Sequence, residues 1–70
     1  MTRRDEDLGE LYELACTFVA ETERAVMIYD HATGEELWIP LSQVSSLHKG
    51  ANGDGTLVMS AWIAKKKGLI

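Results

Sequence analysis

The side chains best suited to catalysis in this chain are one thiol and two imidazoles. Cys16 is the only cysteine, and His31 and His48 are the only histidines. A nucleophilic thiol needs a base within hydrogen-bonding reach and a group that orients that base. Cys16 stands between Ala15 and Thr17 in an apolar stretch, where a thiol has a raised pKa and is inert. The sequence therefore predicts a core role for Cys16 and exposed loop positions for both histidines.

The sequence also contains no residue pattern suited to binding a metal or a cofactor. Neither histidine has a second His or Cys at a metal-ligand spacing. The segment 52–55, Asn-Gly-Asp-Gly, matches part of a calcium loop, but the remaining ligand positions are missing. Glu35 and Glu36 are adjacent in a predicted strand, so their side chains point to opposite faces and cannot form a carboxylate pair. We expect no catalytic residue, no metal and no cofactor, and a protein that is not an enzyme.

Charge is divided unevenly along the 70 residues, whose net charge is −4. Residues 1–36 carry three basic and ten acidic side chains, a net −7, whereas residues 37–70 carry four basic and one acidic side chain, a net +3. An acidic region repels nucleic acid and attracts basic protein surfaces. The predicted partner-binding acids, placed at the ends of neighbouring strands, are Glu21, Glu23, Asp30, Glu35 and Glu36. Trp38, in the third predicted strand beside the exposed acids, is the predicted apolar residue of the same interface.

Other kinds of partner stay open. Lys49 and Lys65–Lys67 could contact phosphates, which makes a small nucleic-acid-binding module the first alternative. The second is an accessory structural subunit that acts as a homodimer through an uncovered strand edge. No apolar run reaches the roughly 20 residues of a membrane span, and no apolar stretch follows the charged N-terminus, so we expect a cytoplasmic protein without membrane contact.

Alternating apolar side chains predict a β-rich fold. Short polar turns join the first three predicted strands into an antiparallel meander. The strands are predicted at 13–21, 25–29, 35–39 and 56–59. Leu8, Leu11, Tyr12 and Ala15 also fall at helical spacing, which would support one or two turns of helix at the start of the chain. We expect residues 1–10 to form a flexible acidic arm or short helix and residues 11–70 to form one small β-rich domain.

Two segments in the second half of the predicted domain are not simple strands. Apolar residues at 41, 44 and 47 predict a turn of helix or an irregular segment beneath the sheet. Ser60 is a good N-cap for a helix over 61–67, which Gly68 ends in the left-handed conformation. The fold class is therefore α+β and mainly β: an antiparallel meander of three to four strands in a partly open small barrel, with a short C-terminal helix. Its predicted core contains Phe18, Val26, Ile28, Ile39, Leu57 and Trp62.

Two tryptophan motifs suggest a biological setting. Trp-Ile-Pro occurs at 38–40, and Trp-Ile-Ala-Lys-Lys-Lys-Gly-Leu occurs at 62–69. Together with segment 17–26, they resemble small uncharacterised proteins of phages and mobile elements over roughly residues 13–70. The resemblance implies a fold and a setting but no catalytic residues. With the acidic surface, it leads us to expect a non-enzymatic protein that binds and modulates, by inhibition, a host or defence protein, as anti-CRISPR proteins do.

Overall fold

The computed structural model describes residues 8–70, so most of the predicted arm at 1–10 lies outside the described residues. The described part is mostly β-structure, with a short α-helix near the C-terminus. Its elements are β1 (Leu11–Glu21), β2 (Ala25–Asp30), β3 (Glu35–Pro40), a 3-10 helix (Leu41–Gln43), β4 (Val44–Lys49), β5 (Asp54–Ser60) and α1 (Ala61–Lys66). The predicted fold class is confirmed.

A single antiparallel sheet has the strand order β3-β2-β1-β5-β4. The long strand β1 serves two neighbours. Its first part pairs with β5 from Leu11 to Thr17, and its second part pairs with β2 from Thr17 to Glu21. The register with β2 shifts between Phe18 and Ala20, which places a β-bulge at Val19. Because a bulge bends its strand and increases the local twist, β1 can change partners halfway along its length.

The two edge strands of this open sheet are joined by only three residues. A 3-10 helix rises about 2 Å per residue, so Leu41–Gln43 advance the chain by only about 6 Å between β3 and β4. The Leu41 amide donates to the Arg24 carbonyl oxygen over 2.8 Å, and Ser60 Oγ donates to Gln43 Oε1 over 2.6 Å. The sheet therefore curls until its edges converge at this corner, as in the partly open barrel that the sequence predicts.

The turn of helix predicted within 41–47 is confirmed at Leu41–Gln43, where a 3-10 helix forms, whereas β4 occupies the rest of that segment. The register with β5 shifts between Val44 and Ser46, so a bulge lies at Ser45. One extra residue in a strand turns a spacing of three into a same-face spacing, which explains the apolar residues at 44 and 47. The helical spacing around Leu11 and Tyr12 is likewise overridden, because both residues pair with β5 in the sheet.

The core lies between the curled sheet and α1. Its buried apolar residues are Cys16, Val26, Ile28, Ile39, Val44, Leu57, Met59, Ile63 and Ala64. Burial is confirmed for Val26, Ile28, Ile39 and Leu57, whereas Phe18 is half-buried at the edge of the cluster. The prediction for Trp62 is wrong.

Trp62 is 58% exposed because α1 turns a different side to the sheet. Ile63 and Ala64 are buried in the core. Residues three and four apart lie on the same side of a helix, so a helix that buried Trp62 would also bury Lys65 and Lys66. Burying two unpaired ammonium groups costs far more than exposing one indole.

Both ends of α1 form as the sequence predicts. Ser60 Oγ accepts a hydrogen bond from the Ile63 amide over 3.2 Å. At the other end Gly68 has a φ of 77°, and the amides of Gly68 and Leu69 donate to the carbonyl oxygens of Lys65 and Ala64. This pair of bonds is a Schellman motif, which needs a left-handed residue after the helix. Within residues 8–70 no helix has the length and hydrophobicity needed to cross a bilayer.

Candidate functional site

The thiol of Cys16 is part of the core and is 1% exposed. Burial, and after it the negative charges of Asp30 and Asp54, raise the pKa of the Cys16 thiol to about 11. At neutral pH this thiol is protonated and shielded from solvent, so it is a poor nucleophile and a poor metal ligand. The predicted core role of Cys16 is confirmed.

A polar chain that the sequence analysis missed centres on Thr17. Its Oγ1 lies 2.7 Å from His31 Nε2 and 2.5 Å from Asp54 Oδ1. The hydroxyl has one proton, which it donates to the Asp54 carboxylate, so His31 must donate its own Nε2–H to Thr17. An imidazole that donates at this atom cannot act as the base that activates Thr17. The chain therefore connects the turn after β2 and the start of β5 to β1, and it does not form a nucleophile-base pair.

Only the strand register brings these three residues together. Thr17 is opposite Tyr29 on one side and opposite Asp54 on the other, 37 residues along the chain. The ring of His31 then lies 5.5 Å from the ring of Tyr29, with the two planes tilted. No local sequence pattern carries this information, because both pairings depend on the order of strands in the sheet.

Asp30, one of the predicted partner-binding residues, is 3% exposed and is not available to a partner. Its Oδ1 accepts from the Ala32 amide over 3.1 Å, and its Oδ2 accepts from the Thr33 hydroxyl over 3.1 Å. The Gly34 amide donates to the Asp30 carbonyl oxygen, and Gly34 has a φ of 76°. Asp30 therefore fixes the turn between β2 and β3, and its assignment to the binding surface is corrected.

The other predicted acids are exposed but divide between the two ends of β2. Glu21 and Glu23 lie near the start of β2, whereas Glu35 and Glu36 lie near its end. Six strand residues separate these ends by about 17 Å. Glu21 Oε1 also accepts from Lys49 Nζ over 3.2 Å. The acids therefore do not form one cluster, and only Glu35 and Glu36 share a strand with Trp38.

Trp38 lies on the outer face of the edge strand β3. Its neighbours differ in exposure: Ile39 is buried and Leu37 is half-buried against the core, whereas Trp38 is 40% exposed. Across the sheet Trp38 is opposite Met27, which is opposite Ala20 on β1. This row of side chains crosses three strands on the solvent side of the sheet.

A second row runs beside the first on the same face. Tyr29 is two residues from Met27 along β2 and is opposite Glu36 on β3. The bulge residue Val19 stands next to the Met27 row and is 45% exposed. Directly opposite neighbours on one face are about 5 Å apart and diagonal neighbours about 7–8 Å, so Met27, Tyr29, Glu36 and Trp38 form a strip that the exposed bulge residue Val19 adjoins. We call Val19, Met27, Tyr29, Glu36 and Trp38 the Trp38 surface.

An open groove of about 510 Å³ borders the Trp38 surface at Pro40, two residues along β3 from Trp38. Its lining consists of Glu23, Arg24, Pro40, Leu41 and Ser42. These residues supply one carboxylate and one guanidinium but no thiol or imidazole. Within residues 8–70 no three His, Cys, Asp or Glu side chains are grouped to hold a metal ion.

The lysines of the alternative nucleic-acid site lie in two separate places. Lys49 ends β4, pairs with Glu21 and lies 5.8 Å from the centre of the Phe18 ring. Lys65–Lys67 lie at the end of α1, which begins at the opposite end of β5. Lys66 Nζ is 4.9 Å from the centre of the Trp62 ring. One predicted basic site is therefore two features, and only the second has an exposed aromatic ring.

Comparison of the chain with protein-family models, with curated proteins and with solved structures returned no match. The function has to be argued from the surfaces themselves, since a fold alone does not specify one.

Proposed function

We propose that this chain is a non-enzymatic binding protein that attaches to another protein through the Trp38 surface. The single observation that carries the proposal is the strip of exposed Val19, Tyr29 and Trp38 side chains across three strands. Trp38 and Tyr29, diagonal neighbours on adjacent strands, each supply rigid apolar area with a polar atom on the ring. These residue types dominate the binding energy of protein interfaces.

The charges around the strip indicate the chemistry of the partner. Glu36 lies in the strip opposite Tyr29, and Glu35 precedes it at the start of β3. Both carboxylates are exposed, and neither is in a salt bridge within residues 8–70. A partner that offers an apolar pocket rimmed with Lys or Arg would neutralise them and be steered toward the strip.

The biological setting rests on the resemblance to small phage and mobile-element proteins. Within that setting the partner is a host or defence protein, and occupation of its basic surface would inhibit it. The raised pKa of Cys16 and the hydrogen-bond direction at Thr17 support a role in binding over a role in catalysis.

A capture experiment from host lysate tests the proposal. The immobilised chain is compared with Trp38→Ala and with Trp62→Ala, which removes the same side chain from a different surface. We expect the wild type and Trp62→Ala to capture one or more proteins. The amount captured by Trp38→Ala should be at least tenfold lower, as for the truncation of a hot-spot residue. Equal capture by all three variants, or no specific capture, would contradict the proposal.

Charge reversal at Glu36 refines the same experiment. Once the captured protein is purified, Glu36→Lys should slow association more than it speeds dissociation, with a difference that shrinks as salt is added. Glu10→Lys, exposed at the opposite end of β1 from the Trp38 surface, is the matched control and should change the rate less.

The homodimer alternative is supported by one observation: β3 is an edge strand, and Trp38 lies on it. Light scattering across a dilution series distinguishes the two functions. A dimer that becomes a monomer in Trp38→Ala would assign the strip to a second copy of this chain, and a monomer at all concentrations would leave it free for another protein.

A further inference from the structure

The most exposed large apolar side chain in the described part of the chain is Trp62, on the solvent side of α1. It is 58% exposed, whereas the adjoining Ile63 and Ala64 are buried. The ring contributes little to the core, because α1 buries the side that carries Ile63 and Ala64. A role for this indole has to involve its outer surface.

The charges around Trp62 are all of one sign on α1. Lys65 and Lys66 are exposed, Lys67 is half-buried, and Lys66 Nζ lies 4.9 Å from the centre of the indole ring. Among residues 8–70 none of these lysines is within ion-pair distance of a carboxylate, in contrast to Lys49, which pairs with Glu21. The three ammonium groups and the indole together form what we call the Trp62 surface.

We infer that the Trp62 surface binds single-stranded nucleic acid. An unpaired base can stack on the exposed indole, and the phosphates on either side can contact the lysines, which is the combination that single-strand-binding proteins use. A duplex offers no unpaired base to the ring. A membrane is a poorer match, because the apolar side of a six-residue helix is already buried in the core and cannot enter a bilayer.

This site is separate from the one proposed for a protein partner. The Trp38 row meets β1 at Ala20, whereas α1 begins where the Ala61 amide donates to the Glu10 carbonyl oxygen, just before β1. The two surfaces therefore adjoin opposite ends of β1, and each can be removed without the other.

Fluorescence polarisation of a labelled oligothymidylate of about 10 nucleotides, the length that one small binding domain covers, tests the inference at low salt. The variants are Trp62→Leu, which keeps apolar bulk, Trp62→Tyr, which keeps a stacking ring, and a double Lys65→Gln, Lys66→Gln change. We expect affinity to fall about tenfold with Trp62→Leu and to be largely retained with Trp62→Tyr. Trp38→Ala is the matched control and should bind as the wild type does. All the changed residues are exposed, and a circular dichroism spectrum confirms that each variant is folded.

The salt dependence supplies a second readout. Three lysines on phosphates predict a slope of log K against log salt of about −2 for a single strand, and the double lysine variant should reduce it to about −0.7. The inference is overturned if the oligonucleotide does not bind at low salt, or if Trp62→Leu binds as tightly as the wild type. Binding to vesicles that contain phosphatidylserine, lost with Trp62→Leu in the absence of any oligonucleotide binding, would assign the surface to a membrane instead and equally overturn it.

Discussion

Each tryptophan of this chain precedes an isoleucine, and in both pairs the isoleucine is the residue in the core. Ile39 and Ile63 are 0% and 4% exposed, whereas Trp38 and Trp62 are 40% and 58% exposed. The larger apolar side chain faces solvent in a strand and again in a helix. Size and hydrophobicity therefore do not decide which member of the pair is buried.

The reason differs between the two regions. In β3 successive side chains point to opposite faces, so burial of Ile39 and partial burial of Leu37 leave Trp38 outside. In α1 neighbours are about a quarter-turn apart, and the side that carries Ile63 and Ala64 excludes the side that carries Trp62 and Lys66. Each indole is exposed because of its neighbours in the element.

The surroundings of the two indoles have opposite charge. Trp38 shares its face with Tyr29 and Glu36, and Trp62 lies below the ammonium of Lys66. The uneven charge of the sequence thus becomes two surfaces at different ends of β1, one acidic and one basic. The same residue type is therefore exposed in two surfaces of opposite charge.

The largest effect should come from truncation of the buried member of each pair. Ile39→Ala and Ile63→Ala each remove a core side chain and should cost about 2–5 kcal/mol of unfolding free energy. Trp38→Ala and Trp62→Ala remove partly exposed rings and should cost less than their neighbours do. Urea unfolding measures all four variants. Because a domain of this size has little more than about 5 kcal/mol in total, Ile39→Val, at about 0.5–1.5 kcal/mol, is the variant to use if Ile39→Ala does not fold.

If a tryptophan-to-alanine variant loses more unfolding free energy than the alanine variant of the adjoining isoleucine, the assignment of core and surface in that region is reversed.

An alkaline titration tests the core that both regions share. The Cys16 thiol has its pKa raised from 9.0 to about 11, so the unfolded chain releases this proton before the folded one does. The stability from the protonated thiol is complete below about pH 9 and is lost as the pH rises to about 11, by about 3 kcal/mol for two pKa units. Urea unfolding at pH 8 and at pH 11 measures the loss.

Cys16→Ala is the control, because it lacks the thiol and keeps every other ionisable side chain. The pH-dependent loss should be about 3 kcal/mol smaller in Cys16→Ala than in the wild type. An identical loss in both would show that the thiol does not carry the effect.

The smallest effect is expected in the fluorescence quenching of each indole alone. This measurement tests most directly whether the charges around Trp38 and Trp62 differ in sign. Trp38→Phe leaves Trp62 as the reporter, and Trp62→Phe leaves Trp38. The ratio of iodide quenching to caesium quenching should be higher at Trp62, where the lysines attract the anion, than at Trp38 beside Glu36. Added salt screens these charges and should therefore reduce the difference in quenching between the two indoles. The same quencher preference at both indoles would remove the electrostatic difference between the surfaces.

Local structure was well predicted because its causes are local. Ser60 as an N-cap, Gly68 as the left-handed end of the helix and the turn from Asp30 to Gly34 all depend on residues within five positions of one another. The role of Asp30 was predicted only in part. Its place in the turn was correct, but the same two hydrogen bonds that hold the turn remove its carboxylate from the surface.

Pairing between distant segments was poorly predicted. The strand β4 was missed because the bulge at Ser45 gives the apolar residues of one face a spacing of three, which is also typical of a helix. The hydrogen bonds of Thr17 to His31 and Asp54 were missed because they require β1 to lie between β2 and β5. These features depend on contacts between residues far apart in the chain, which periodicity does not report.

By itself the sequence determined the β-rich class, most of the strands, the caps of α1 and the division of charge between the two halves of the chain. Each follows from the conformational preference of a residue or from side chains close together in the chain. Only the tertiary structure decided that Trp62 is outside the core, that Asp30 is buried and that the acids divide between two ends of β2. Whether a side chain is buried depends on which face of its element meets the rest of the molecule, and that choice is made by the packing of the whole sheet against the helix.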